Sequence, residues 1–299
     1  MAQHHLTPRL TLTEEAVTVL FCLIDDAYAL LNPDGAERYE TLKSLSDSEI
    51  ITLALLQQLR GVQSERSFLR EAERFFAHLF PGVVGLWPSS LNRRARKPRR
   101  FLEPLRRLVV PELAGDPETL IVDSTLLSVS HPRQVKQSAA GFEGAAWVRW
   151  GSFSVYGVKL HLLCATNRVP VSYEITAANV ADVRLTEELL AEAEHLLGED
   201  LLARRLLGDL AYRSEELEEA LADSGILVVT ERSRQGGARQ QVEICFASLK
   251  RVFGMDGTLA TTLVGLATRI AAKICAYTYA FYVNRHLGRP QGRIKELWA

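Results

Sequence analysis

The 299-residue chain has few cysteines and no pattern among them: Cys22, Cys164, Cys245 and Cys275 stand far apart, with no CxxC pair. That spacing argues against a zinc ribbon and supplies no disulfide framework, so a reducing compartment is expected. The sequence contains no G-x-x-x-x-G-K-[ST] loop. Without that phosphate cradle there is no reason to expect a nucleotide cofactor. Internal repeats and low-complexity tracts are missing as well. The first residues, MAQHHLTPRLTLTEE, lack a basic stretch followed by an apolar run, so no secretory signal is read there and a cytoplasmic location is expected. The longest apolar stretch, Thr258 to Val283, carries Arg269 and Lys273 in its middle. Two charges near a bilayer centre are costly, so the stretch reads as a buried helix with one wet edge and no membrane partner is expected.

What is present is the mix of a globular protein: 47% hydrophobic and 24% charged residues, enough apolar surface for a large core. The net charge of −1 conceals blocks of opposite sign. Residues 93–107 carry eight basic side chains and one acidic, and residues 227–299 carry eleven basic and four acidic. Residues 181–226 carry thirteen acidic and four basic. Two basic blocks on a neutral chain point to a polyanion held at particular faces.

The first hundred residues read as helices. Thr13 to Leu31 has apolar residues at helical intervals and breaks at Asn32-Pro33-Asp34-Gly35. Ser46 and Glu49 form a capping-box signal for a helix running to Gly61. A second helix is predicted over Glu65 to Phe76, and a third near Ser89 or Ser90 carries LNRRARK. Helices followed by a basic helix fit a helix-turn-helix DNA-binding region, and equally a helical support with a basic rim. Arg93, Arg94, Arg96, Lys97, Arg99 and Arg100 are the candidate phosphate contacts.

From Thr119 the texture changes. Thr119–Asp123 and Leu206–Asp209 are short apolar runs that each end in a carboxylate. Phe153–Cys164 and Val169–Thr176 are predicted strands joined by a turn at Ala165–Arg168. A helix over Asp182–Leu197, one capped by Ser214, a strand over Ile226–Thr230 and a helix over Arg239–Phe253 follow. Trp147 and Trp150 fall in a loop-like stretch, as a lid packing on the core or as a stacking surface for an unpaired base. The order implies an α/β protein: a mixed sheet covered by helices.

Two aspartates at strand ends converge if their strands are neighbours. Glu243 lies on the last helix, with Arg239 one turn before, Phe246 on the same face to pin the helix, and Lys250 two turns on. Each residue alone has a plainer role, as a turn cap or a surface ion-pair ladder. Jointly, three carboxylates separated by 85 and 33 residues suit a hard divalent cation.

These pieces resemble bacterial insertion-sequence transposases of the DDE type. The matching motifs are IVDST around Asp123, YGVKLHLL from Tyr156, GDLAY over Gly208–Tyr212, and Arg239-x-x-x-Glu243-x-x-x-x-x-x-Lys250 within RQQVEICFASLKRVFGM. The resemblance spans roughly residues 45 to 285. One departure is Gly236, where many relatives carry tyrosine. The resemblance implies a ribonuclease-H-like catalytic domain over residues 113–290, behind an all-helical DNA-binding region at 1–112 and ahead of a tail at 291–299. It implies that Asp123, Asp209 and Glu243 are the catalytic residues and hold two Mg2+ ions, with Mn2+ as a substitute. In-line hydrolysis would free the 3′ ends of the element and strand transfer would join them to target DNA. Arg239, Lys250 and Arg251 would contact double-stranded DNA, both the terminal inverted repeats and the target. A homodimer on two ends, in a nucleoid-associated pool, is the implied assembly. Two alternatives share the same residues: a metal-dependent nuclease that does not join strands, and an inactive DNA-binding relic.

Overall fold

The computed structural model of the chain describes residues 14–33, 44–95, 97–115, 117–129, 142–198, 204–230, 237–257, 260–294 and 297. Five helices come first: α1 (Glu14–Leu31), α2 (Asp47–Leu59), α3 (Glu65–Phe76), α4 (Pro88–Ala95) and α5 (Leu102–Ala114). The capping box at α2 is formed. Ser46 Oγ accepts from Glu49 N at 3.1 Å, and Glu49 accepts from Ser46 N at 2.5 Å. Two orphan amides are thereby satisfied. The chain then turns at Gly61 with φ +63°, a conformation that a side chain would disfavour. Ser64 caps α3 three residues later. Helix α2 is buried on most sides, from Asp47 through Leu59.

Six strands form one mixed sheet: β1 (Thr119–Ser128), β2 (Ala146–Trp150), β3 (Phe153–Ala165), β4 (Pro170–Ala177), β5 (Arg205–Gly208) and β6 (Leu227–Thr230). Antiparallel β3 lies on one side of β1, and β5 then β6 run parallel to it on the other. The far side of β3 is shared, with β2 on residues 153–157 and β4 on residues 158–164. An antiparallel meander continued by parallel strands on the far side of β1 is the ribonuclease-H-like arrangement. The later helices are α6 (Thr186–Leu197), α7 (Glu215–Asp223), α8 (Gln240–Arg251) and α9 (Leu263–His286). Helices cover both faces of the sheet, as predicted.

Two sequence expectations need correction. Strand β1 does not end at Asp123 but continues to Ser128, because β3 pairs it along that whole length. The stretch containing Trp147 is not a loop but the edge strand β2, and the Trp147 ring packs on Tyr156 at 5.3 Å. The long apolar stretch begins its helix at Leu263, with Thr262 as N-cap. Of its two mid-helix charges only Arg269 is exposed. Lys273 is buried, with Nζ donating to Gln58 Oε1 at 2.9 Å and to the Phe253 carbonyl. Burial lowers this amine's pKa to about 8. The contact ties α9 to α2. Among the described residues no helix is long and apolar enough to cross a membrane.

Arg106 ties α5 to the sheet. Its side chain is 1% exposed. It bonds Glu103 at 2.6 Å, the Pro170 carbonyl at 2.7 Å and the Val171 carbonyl at 3.1 Å. Removing it takes this donor from two strand carbonyls and leaves the Glu103 carboxylate, among the described residues, with the Tyr173 hydroxyl alone and no matching charge. Arg106→Ala is expected to destabilise the chain by about 3–5 kcal/mol in urea denaturation. Arg106→Lys should recover only a small part, because an ammonium lacks the planar fork. A loss below about 1 kcal/mol for the alanine variant would show that this link is dispensable.

Candidate active site

Strand register brings the two aspartates together. The β1–β5 pairing runs from Thr119↔Arg205 to Ile121↔Leu207 and stops. Asp123 and Asp209 each lie two residues beyond that last pair, so they leave adjacent parallel strands at one level and on one face. Gly208 precedes Asp209 for a steric reason. A Cβ there would meet the Tyr212 side chain at 2.9 Å, so glycine lets Tyr212 fold under the strand end. Asp209 also caps the short turn that follows, accepting from Ala211 N at 2.8 Å. Tyr212 is buried. Its hydroxyl lies against Ser124 without a well-formed hydrogen bond, and burial plus the charges of Asp123, Asp182 and Asp209 keep it protonated.

Asp123 accepts one hydrogen bond from Ser124 N at 2.8 Å. Burial pushes its pKa up to about 7. The Ser124 bond and Arg239 oppose the rise, while the charges of Asp209 and Glu243 add to it. Both other predicted carboxylates therefore lie close enough to act on Asp123. Helix α8 supplies Glu243 while burying Val242, Cys245, Phe246 and Leu249 on its inner side. Phe246 pins the helix as expected. Glu243 remains partly exposed and pairs with Arg239 at 3.3 Å. Among the described residues no three Asp, Glu, His or Cys side chains stand close enough to hold one ion. The donor set has the hard oxygen chemistry of a divalent-cation site, with Glu243 turned toward Arg239.

Lys250 reaches back to β1, its Nζ 3.5 Å from the Leu126 carbonyl and 3.6 Å from Asp256. Arg251 is exposed beside it. The basic segment near residue 93 is divided in its use. Arg94 bonds the Leu45 carbonyl and Ser44 Oγ, and Arg99 bonds Asn92 and Glu65. Arg93, Lys97 and Arg100 are exposed, whereas Arg96 and Gly236 lie outside the described residues.

The opposite face of β1 carries a polar cluster only partly anticipated. Ser124 Oγ donates to Asp182 Oδ1 at 2.7 Å, and Lys159 Nζ reaches the same oxygen at 2.9 Å. Lys159 also donates to the Val180 carbonyl at 2.7 Å. His161 bonds Thr176 Oγ1 at 2.8 Å, and burial lowers its pKa to about 4, which keeps it neutral. The signal for Lys159 was its place in an otherwise apolar strand, where a charge needs a buried partner.

Residues 114–279 match the family described as transposase DDE domain. No curated protein sequence matches the chain significantly. Among solved structures, the piggyBac transposase in its synaptic complex with hairpin DNA, determined by cryo-EM, is similar in shape with a TM-score of 0.39. The identity is 12%, over 97% of this chain and 78% of that one.

The raised Asp123 pKa has a measurable consequence. An acid whose folded pKa lies above its unfolded value keeps its proton better when folded, so its ionisation erodes stability as pH rises from about 4 to about 7. Asp123→Asn should therefore raise the melting temperature of the metal-free protein at pH 8 by roughly a few degrees. At pH 4 the substitution should change little. Equal effects at both pH values, followed by differential scanning calorimetry, would exclude a buried, proton-holding Asp123.

Proposed function

The chain belongs to the transposase DDE domain family, and we propose that it binds the ends of an insertion sequence, hydrolyses the phosphodiester at their 3′ ends and transfers those ends to target DNA. The observation that carries this reading is the strand register that sets Asp123, midway along β1, beside Asp209 just past the end of β5, with Glu243 of α8 close enough for both acids to act on Asp123. Asp123, Asp209 and Glu243 would hold two Mg2+ ions, or Mn2+ in their place. When bound, such ions supply Lewis acidity and lower the pKa of water.

The chain's own groups have defined tasks. Asp123 must lose its proton before it can ligate a cation, so acid favours the inactive, protonated site. Arg239 pairs with Glu243 and acts on Asp123, so it would meet a phosphate docked there. Lys250 and Arg251, at the other end of α8, would fix the backbone beyond the scissile bond. Lys159, Ser124 and Asp182 brace β1 from behind, so that Asp123 meets the phosphate from a rigid strand. A homodimer would hold two ends together for concerted joining.

Strand transfer tests the reading. Wild-type protein with Mg2+ and a duplex carrying pre-cut 3′ ends should yield joined products. Asp123→Ala, Asp209→Ala and Glu243→Ala should each lower the yield by roughly a thousand-fold or more. Nicking without joined product would identify a nuclease instead. DNA binding with neither product, in wild type as in the variants, would identify an inactive relic.

A further inference from the structure

Helix α3 carries a row of arginines that the charge blocks of the sequence did not single out. Arg66, Arg70 and Arg74 recur every fourth residue, and all three are exposed. The buried side of the helix is formed by Phe68, Leu69, Ala72 and Phe76. Its acidic residues are engaged elsewhere: Glu65 with Arg99 at 3.4 Å, Glu71 with Arg60, and Glu73 with Gly85 N at 3.3 Å. Like charges four residues apart destabilise a helix. A sequence that keeps three in a row has a use for the field they make.

The row also has a place relative to the site. The turn before α3 lies against the chain just after α8. Gln63 Nε2 is 3.4 Å from the Gly254 carbonyl, and a Cβ on Gly61 would stand 3.1 Å from the Val252 carbonyl. Arg251, exposed at the end of α8, immediately precedes that contact, and Arg66 follows it. Positive charge thus runs from Lys250 and Arg251 across the turn and along α3. The row from Arg66 to Arg74 is about 12 Å long at the helical rise, close to the width of the DNA major groove. Helix α7, by contrast, exposes Glu215, Glu216, Glu218 and Glu219, which would repel a duplex from that part of the surface.

We propose that Arg66, Arg70 and Arg74 of α3 are a phosphate-binding row for duplex DNA, extending the path of the strand that occupies the active site. The proposal rests on the DNA-transposing reading above and names a surface which that reading did not. Helix α3, which follows α2 across the turn at Gly61, would share the role that the sequence assigned to the segment beginning at Arg93.

The test is binding of the full-length protein to a mixed-sequence fluorescent duplex of about 30 base pairs, roughly three helical turns. Anisotropy is followed across a salt series without divalent cations. Arg66→Ala/Arg70→Ala/Arg74→Ala should weaken binding about ten-fold or more at 0.1 M-scale salt, and should flatten the slope of log K against log [salt] by about 0.9 per arginine that meets a phosphate. Arg66→Lys/Arg70→Lys/Arg74→Lys should keep most of the slope. Arg93→Ala/Arg100→Ala should flatten it less than the α3 triple variant. An unfolded alanine variant would show as a lowered melting temperature, and the lysine variant together with the Arg93/Arg100 comparison then decides. A triple alanine variant that is folded and keeps the wild-type slope overturns the α3 row and leaves the transposase reading standing. Wild-type protein without salt-dependent DNA binding overturns both.

Discussion

Three pairs of residues hold Asp123 and Asp209 in register. The parallel ladder between β1 and β5 joins Thr119 to Arg205, Leu120 to Leu206 and Ile121 to Leu207, then stops. Because side chains alternate along a strand, a slip of one residue would send Asp209 to the opposite face from Asp123. The ladder is short, and its fidelity comes from burial: Leu120, Ile121, Leu206 and Leu207 are all in the core. Parallel strand β6 extends the same register from the other side, pairing Leu207 with Val229 and Gly208 with Thr230. The position of the carboxylates is therefore a consequence of leucine and isoleucine packing, which has no electrostatic interest in keeping two acids together.

That indifference explains the tension at Asp123. Removing a carboxylate from water disfavours its charge, and two more acids nearby disfavour it further. Arg239 and the Ser124 amide offset only part of this, so the group settles near pH 7 instead of near 4. Behind the strand the same burial is handled differently. Asp182 meets Lys159 at 2.9 Å and Ser124 at 2.7 Å, so that carboxylate has its charge matched and its oxygen bonded. The two faces of β1 thus hold acids of opposite character, one paired and one left short of positive charge. The deficit on the Asp123 face is what a cation would fill.

Local signals were the legible part of the sequence. Ser46 with Glu49, Gly61, Ser64 and Ser214 mark helix ends through bonds made within a few residues, so caps and boundaries could be read directly. The apolar runs ending at Asp123 and Asp209, and the spacing of Arg239, Glu243 and Lys250, pointed to the candidate site. What could not be read depends on distant partners. The length of β1 past Asp123 is set by β3, and the polar Ser124-Thr125 pair gives no sign of it. Edge strand β2 has a single partner and little burial, which left too weak an alternation to show. The basic segment illustrates the same limit. Its charge density was plain, but Arg94, Arg106 and Arg107 find partners 50, 64 and 85 positions away, at Ser44, Pro170 and Glu192.

The division of labour on α8 follows from these constraints. Val242, Cys245, Phe246 and Leu249 fix one side of the helix in the core, against a sheet whose register is already set. The other side bears Arg239, Glu243 and Lys250, of which Glu243 is the most exposed. Glu243 pairs with a residue of its own helix, four positions back, and not with any group of the sheet. Such a pair is weak because it is partly exposed, and a stronger opposite charge near Asp123 can replace Arg239 at small expense. A buried, well-matched partner for Glu243 would oppose the cation binding proposed above. Weak pairing at the third carboxylate and a charge deficit at the first are thus two sides of one arrangement, in which core packing places the acids and leaves their electrostatics incomplete.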